Sequence, residues 1–211
     1  MKVVAINGSP KKEGNTYGAI KMVFNELEKE GIDTEILHIG NQAVRGCVGC
    51  NGCFKNRNDK CVITGDDVND WIATVKDADA ILLGSPVYYS GVSGTMKSFL
   101  DRLFYVSGAN GGYFKGKVGA SIAAVRRSGG IPTVDQLNKY LQYEEMLMVN
   151  GNYWTVIHGL KPGEVEQDDE GKQIMSRLGK NMAWAMKLIE HGKGVVDHPE
   201  SDRKVYTHFV R

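Results

Sequence analysis

No stretch of this 211-residue chain stays apolar for the roughly 20 residues that a membrane span requires, so no span is expected. The N-terminus lacks the long apolar core of a signal peptide and opens on what reads as a strand; the expected location is the cytoplasm. Neither sign of charge is in excess: 26 Lys and Arg against 25 Asp and Glu leave a net +1, which gives no support for nucleic acid or an anionic membrane surface as partner. No His-Glu-x-x-His motif occurs, and His38 and His158 stand at no metal-like spacing. Gly91-Val92-Ser93-Gly94-Thr95 lacks the last glycine of a hydrolase elbow, and no triad candidate follows it. The formal glycosylation acceptor Asn7-Gly8-Ser9 is discounted because nothing marks the chain for export. Cysteine is scarce and unevenly placed, with all four residues between Cys47 and Cys61. A disulfide framework would spread its cysteines across the fold, so this clustering points to a metal or redox role, or to a loop of inert thiols.

What is present describes one soluble α/β domain large enough to bury a real core, with 42% hydrophobic and 24% charged residues. Lys2 to Ile6 is a short β-branched strand needing burial on both faces. A helix begins near Thr16, with Ile20, Val23, Phe24 and Leu27 on one stripe and Asn15 or Thr16 as its cap. Asp33 to Ile39 alternates as a second strand. Residues 40–65 form a long connection without clear periodicity, of the kind that is functional or metal-bound. Asp66 or Asp67 can cap a helix carrying Val68, Trp71, Ile72 and Val75. Asp79 to Gly84 is a third strand, and a helix buries Met96, Phe99, Leu100 and Leu103. Lys117 to Val125 is a fourth strand, and its small residues suit close approach of a helix or ligand. A helix starts near Pro132. Met146 to Val149, with Tyr153 to Ile157, makes the fifth strand, and Ile174, Leu178, Ala185, Leu188 and Ile189 mark a last helix. Residues 1–191 therefore read as one domain with a cysteine-rich insertion at 40–65, followed by a tail, 192–211.

Strands alternating with helices five times imply a doubly wound five-stranded parallel sheet between two helical layers, with the common order 2-1-3-4-5. Ligands of such sheets bind at the carboxyl ends of strands 1 and 3, where the winding reverses. Those ends are Asn7 to Thr16 and Ser85 to Gly91. The first loop, with small residues, hydroxyls and two lysines at the start of a helix, suits a phosphate; otherwise it is an ordinary capped turn. The second, Pro86-Val87-Tyr88-Tyr89, suits a flat heterocycle through its rings and backbone groups. A third, Arg126-Arg127-Ser128-Gly129-Gly130, adds polar contacts. Together they match a mononucleotide such as FMN, and the absence of G-x-G-x-x-G argues against a classical dinucleotide fold.

Lys2 to Pro10, then Gly14-Asn15-Thr16, then Gly84-Ser85-Pro86-Val87-Tyr88 resemble the NADPH-dependent FMN reductase group of flavodoxin-like flavoproteins, over about residues 1–190. Within that group the run Cys47-x2-Cys50-x2-Cys53-x7-Cys61 is similar to the compact motif of the iron–sulfur flavoproteins, which place a [4Fe–4S] cluster beside FMN. The resemblance implies phosphate contacts at Ser9, Lys11, Asn15 and Thr16. It implies ring contacts at Pro86, Val87, Tyr88 and Tyr89, and at the Arg127–Gly130 loop with Gly129. It also implies a homodimer or homotetramer. Three cysteines at two-residue spacings can wrap one face of a cluster and a fourth can close it. Zinc, which more often uses two separated pairs, is the weaker match. The expected function is an FMN-dependent NAD(P)H oxidoreductase passing electrons to a flavin, quinone or other small acceptor. The alternative is an iron–sulfur electron carrier served by a ferredoxin-like donor, or a redox sensor. Because the flavin performs the chemistry, no catalytic side chain is named.

Overall fold

The computed structural model describes residues 1–200, Asp202, 205–207 and Phe209. Six strands form one parallel sheet: β1 (Lys2–Asn7), β2 (Asp33–His38), β3 (Ala80–Pro86), β4 (Val118–Val125), β5 (Leu147–Met148) and β6 (Val156–His158). Its order is β2-β1-β3-β4-β5, the doubly wound order expected, with β6 also on β4. The fifth position is not one strand. Val118 and Gly119 pair with Leu147 and Met148, Ala123 to Val125 pair with Val156 to His158, and the chain loops away between them.

The helices are α1 (Asn15–Lys29), α2 (Gly52–Asn56), α3 (Val68–Lys76), α4 (Gly94–Ala109), α5 (Gly130–Tyr143) and α6 (Asp169–Gly192), with a 3-10 turn at Glu164–Gln167. The strand period of two divides β1 between two cores. Val3 and Ala5 meet α1 and α6, whereas Val4 and Ile6 meet α3, α4 and α5. This is the three-layer arrangement. Each fully buried Val or Ile of β1 contributes about 1.5–3 kcal/mol relative to exposure. Every residue of the expected stripes on α1, α3 and α4 is buried. On α6 the stripe runs instead through Ile174, Met175, Leu178, Met182, Ala183 and Met186, and Leu188 is exposed.

The starts of α1 and α5 differ from expectation, whereas α3 is capped at Asp67, one of the two residues expected. The α1 cap is Gly14, with no side-chain bond, and Asn15 is already helical. Helix α5 opens at Gly130 on a left-handed Gly129, placing Pro132 inside the first turn. Asp67 caps α3 without a side-chain bond, because the neighbouring carboxylate, Asp66, serves Arg102 as well as the Val68 amide. In the tail His198 packs on Gly116; its residues Ser201, Arg203, Lys204, His208, Val210 and Arg211 lie outside the described residues.

Candidate functional site

The loop between β1 and α1 is shaped by its own side chains. Buried Asn7 accepts from the Ser9 amide (3.0 Å) and donates to the Lys12 carbonyl (3.2 Å), and Ser9 Oγ accepts from the Lys11 amide (3.2 Å). From the β2 side, His38 Nε2 lies 2.8 Å from the Ser9 carbonyl. Gly40 presses closer still: a Cβ there would stand 2.0 Å from Ser9 O. With Gly14 as a bare cap, the amides of Asn15, Thr16 and Tyr17 leave the helix end without partners in their own turn. They and the helix dipole favour an anion at that spot. Asn15 Oδ1 is buried there with no hydrogen-bond partner. A buried unpaired acceptor costs on the order of 1–3 kcal/mol, which a ligand hydroxyl would relieve; turned over, the same amide offers N–H groups to a phosphate.

The second loop is tied to the first by Ser93. Its Oγ donates to the Gly8 carbonyl (2.7 Å), and its amide donates to Ser85 Oγ (3.1 Å). Tyr88 and Gly91 exchange backbone bonds of 2.9 and 3.0 Å around a tight turn. At its tip Tyr89 and Ser90 have φ of +50° and +58°, a costly conformation for an aromatic residue, and Tyr89 is fully exposed. The third loop closes against this turn. A Cβ on Gly129, at φ +89°, would meet Ser90 Oγ at 2.7 Å and Ser90 Cα at 2.8 Å, so only glycine fits.

The structure therefore brings Ser9, Asn15 and Thr16 to the α1 mouth, with Lys11 exposed above them. Pro86 ends β3 and Val87, Tyr88 and Tyr89 follow it, with Gly129 packed against Val87 and Ser90. Arg127 borders a cavity of about 410 Å³ on the β6 side of β4, shared with Tyr153, Trp154, His158 and Asp168.

All four cysteines line one tight crevice with only about 10 Å³ of free volume, together with Val62, Arg102 and Tyr105. Cys47 and Cys50 are exposed, Cys61 is half-buried and Cys53 buried, and none is in a disulfide. Burial pushes the Cys53 thiol up, outweighing the backbone amides that bond it. Three contacts order the loop: Asn69 bonds both the amide (2.8 Å) and carbonyl (3.0 Å) of Cys61, and Tyr105 Oη donates to Asn51 (2.5 Å). Among the described residues no three Cys, His, Asp or Glu side chains converge as a single metal ion requires. The four cysteines share one crevice without converging on a single point.

Residues 1–161 match the family model described as NADPH-dependent FMN reductase. The chain belongs to that family. The matched span carries all three loops and every cysteine of this FMN reductase family member, and membership makes it a flavoprotein of redox function. It is 36% identical over 197 residues to an iron–sulfur flavoprotein of Methanocaldococcus jannaschii, covering 90% of this chain and 100% of that one. An iron–sulfur flavoprotein of Archaeoglobus fulgidus is 34% identical, covering 89% of this chain and 81% of that one. Among solved structures, RosB superposes with a TM-score of 0.70 at 15% identity, covering 100% of this chain and 94% of that one. An archaeal flavodoxin superposes at 0.58 and 19% identity, covering 89% and 99%. No helix among the described residues is long and apolar enough to cross a membrane.

Sequence reasoning missed His38, Gly40, Ser93, Asp66 and Arg102 as site-shaping residues. Only Arg102 carried a signal, a cation one turn beyond Phe99, on the stripe of α4 that is otherwise buried and apolar.

Proposed function

We propose that the chain is an iron–sulfur flavoprotein oxidoreductase, with FMN across the three loops and a [4Fe–4S] cluster on Cys47, Cys50, Cys53 and Cys61. The observation that carries this reading is that all four cysteines line one crevice in a member of the FMN reductase family. A four-iron cluster gives each cysteine its own iron, so its four ligands need not converge on one point. The relatives named iron–sulfur flavoproteins support the same choice.

FMN supplies the hydride and single-electron chemistry when bound. The chain's own residues hold and orient it. The amides of Asn15, Thr16 and Tyr17, the hydroxyls of Ser9 and Thr16, and the charge of Lys11 take the phosphate. A ligand hydroxyl supplies the donor that Asn15 Oδ1 lacks. Pro86, Val87, Tyr88 and Tyr89 flank the ring, and the Arg127, Gly129 and Gly130 backbone meets its edge. A ferredoxin-like donor fits the cysteine crevice, and NAD(P)H fits the family's description. The acceptor is a small molecule, the exposed Tyr88–Tyr89 turn suits a homodimer or homotetramer contact, and free thiols suit the cytoplasm.

The test is anaerobic purification followed by flavin, iron and sulfide analysis. FMN with about four irons and four sulfides per chain is expected. A colourless protein that takes up no FMN overturns the flavin reading. A flavin-loaded protein without iron that oxidises NAD(P)H restores the simple reductase.

A further inference from the structure

The cysteine crevice has a neighbour that none of the expected chemistry used. Arg102, on α4, has a side chain with 0% exposure. Burying a guanidinium is unfavourable unless each of its five N–H groups finds an acceptor. Here all five do. Nη1 donates to the Arg45 carbonyl (3.2 Å) and to one oxygen of Asp66. Nη2 donates to the Ile63 carbonyl (2.9 Å) and to the other Asp66 oxygen (3.1 Å). The fifth, on Nε, points at Cys61 Sγ, 3.3 Å away. Four contacts are enough to staple residues 45–66 against α4. The fifth goes to a sulfur, a weak acceptor as a thiol and a good one as a thiolate.

Resting on the cluster reading above, we infer that Arg102 is a positioning residue that holds Cys61 as a ligand and raises the reduction potential of the cluster through its Nε–H···S bond. Hydrogen bonds and positive charge at a ligand sulfur stabilise the reduced, more negative cluster, and such bonds are among the determinants of these potentials. Asp66 works in opposition. Its carboxylate fixes the guanidinium plane, so that Nε faces the sulfur, and offsets part of its charge.

The test is a potentiometric titration, followed by electron paramagnetic resonance, of anaerobically purified wild type, Arg102→Lys and Asp66→Asn, with iron and sulfide content measured on each. Lysine keeps the charge but loses the planar fork and the Nε–H. At the wild-type midpoint, Arg102→Lys should lower the reduced-to-oxidised ratio about tenfold, which is about 59 mV for one electron. Asp66→Asn should move the midpoint the other way, because the guanidinium charge is no longer offset. A purely structural staple would lower iron content in both variants and leave the potential of the remaining cluster unchanged. Unshifted midpoints in iron-loaded variants overturn the inference while leaving the cluster standing. Should Arg102→Lys fail to fold, an Asp66→Asn midpoint that does not rise overturns it equally. A wild type without iron overturns the cluster reading and this inference together.

Discussion

Gly40→Ala is the sharpest test of how the β1–α1 loop, proposed above to hold the FMN phosphate, is kept in place. The new Cβ would lie 2.0 Å from Ser9 O, 2.2 Å from Ser9 C and 2.7 Å from Gly8 C. Ordinary contact begins near 3.4 Å, so the two backbones must part by about 1.4 Å. Both sides are main chain, and neither can rotate aside as a side chain would. Overpacking of this kind costs about 1–3 kcal/mol. The shift also breaks the 2.8 Å contact between His38 Nε2 and Ser9 O, worth about 1 kcal/mol more. Ser9 begins the loop whose end aims the Asn15 and Thr16 amides. Losing alignment of one or two charge-assisted bonds, at about 1.5 kcal/mol each, weakens FMN binding roughly tenfold to hundredfold. Titrating apoprotein with FMN, read by quenching of flavin fluorescence, measures the affinity, and a thermal melt without FMN measures the strain. Gly46→Ala is the control, since its Cβ would meet only Ser98 Oγ at 3.6 Å and should bind as wild type. A Gly40→Ala protein with wild-type affinity and melting temperature would refute the reasoning.

Tyr89→Gly should stabilise the apoprotein by about 1 kcal/mol by relieving a left-handed aromatic, yet weaken FMN binding; denaturant titration and FMN titration must move in opposite directions. Ser93→Ala removes the 2.7 Å bond to the buried Gly8 carbonyl and should cost about 1–2 kcal/mol in urea unfolding. Asp168→Ala removes the α6 cap, whose Oδ1 accepts from Gly171 (2.9 Å) and whose Oδ2 accepts from the His158 amide (2.7 Å). Burial alone would raise the Asp168 carboxyl, but bonds from the Gly171 amide, the His158 amide and the His158 ring outweigh it and hold it below the ordinary carboxylate range. Such a group stabilises above its unfolded pKa and loses that contribution as pH falls through the folded one. The Asp168→Ala deficit, about 1 kcal/mol at pH 7, should therefore shrink below about pH 4 in melts across pH.

The layers, the strand order and three buried helical stripes were legible in the chain because each depends on local periodicity, and β1 even divides its residues between two cores by simple alternation. The split fifth strand was not. Leu147–Met148 and Val156–His158 both read as apolar, but whether the chain pairs or loops between them is decided by β4 across the gap. The α1 cap position failed for a related reason. Asn15 is a good capping residue by propensity, yet Gly14 takes that place because the loop folds back through Asn7 and Ser9. The site loops were legible as loops from hydroxyls, glycines and aromatics in unusual runs. Their mutual contacts were not, since Gly40 against Ser9 and Gly129 against Ser90 join residues far apart in sequence through close backbone approach. Such contacts leave only a glycine as their trace, and a chain with 26 glycines does not say which ones matter.

Helix α4 explains how an aperiodic connection keeps its cysteines in order. The residue before it, Ser93, is bonded to both Gly8 and Ser85, which fixes one end of the helix to the loops at the carboxyl ends of β1 and β3. Nine residues on, about 14 Å along the axis, Arg102 holds Arg45, Ile63, Asp66 and Cys61; one turn further, Tyr105 holds Asn51 and faces Phe54 edge-on. Between those ends Met96, Phe99, Leu100 and Leu103 are wholly buried against the sheet and α3. Sliding α4 would open that core at a cost of several kcal/mol, so the helix acts as a rigid spacer. The cysteine loop needs no periodicity of its own, because its order is imposed by side chains reaching out from a helix the core has already fixed. The same helix sets the separation between the β1–α1 loop and the cysteine crevice, and packing rather than loop sequence determines that distance.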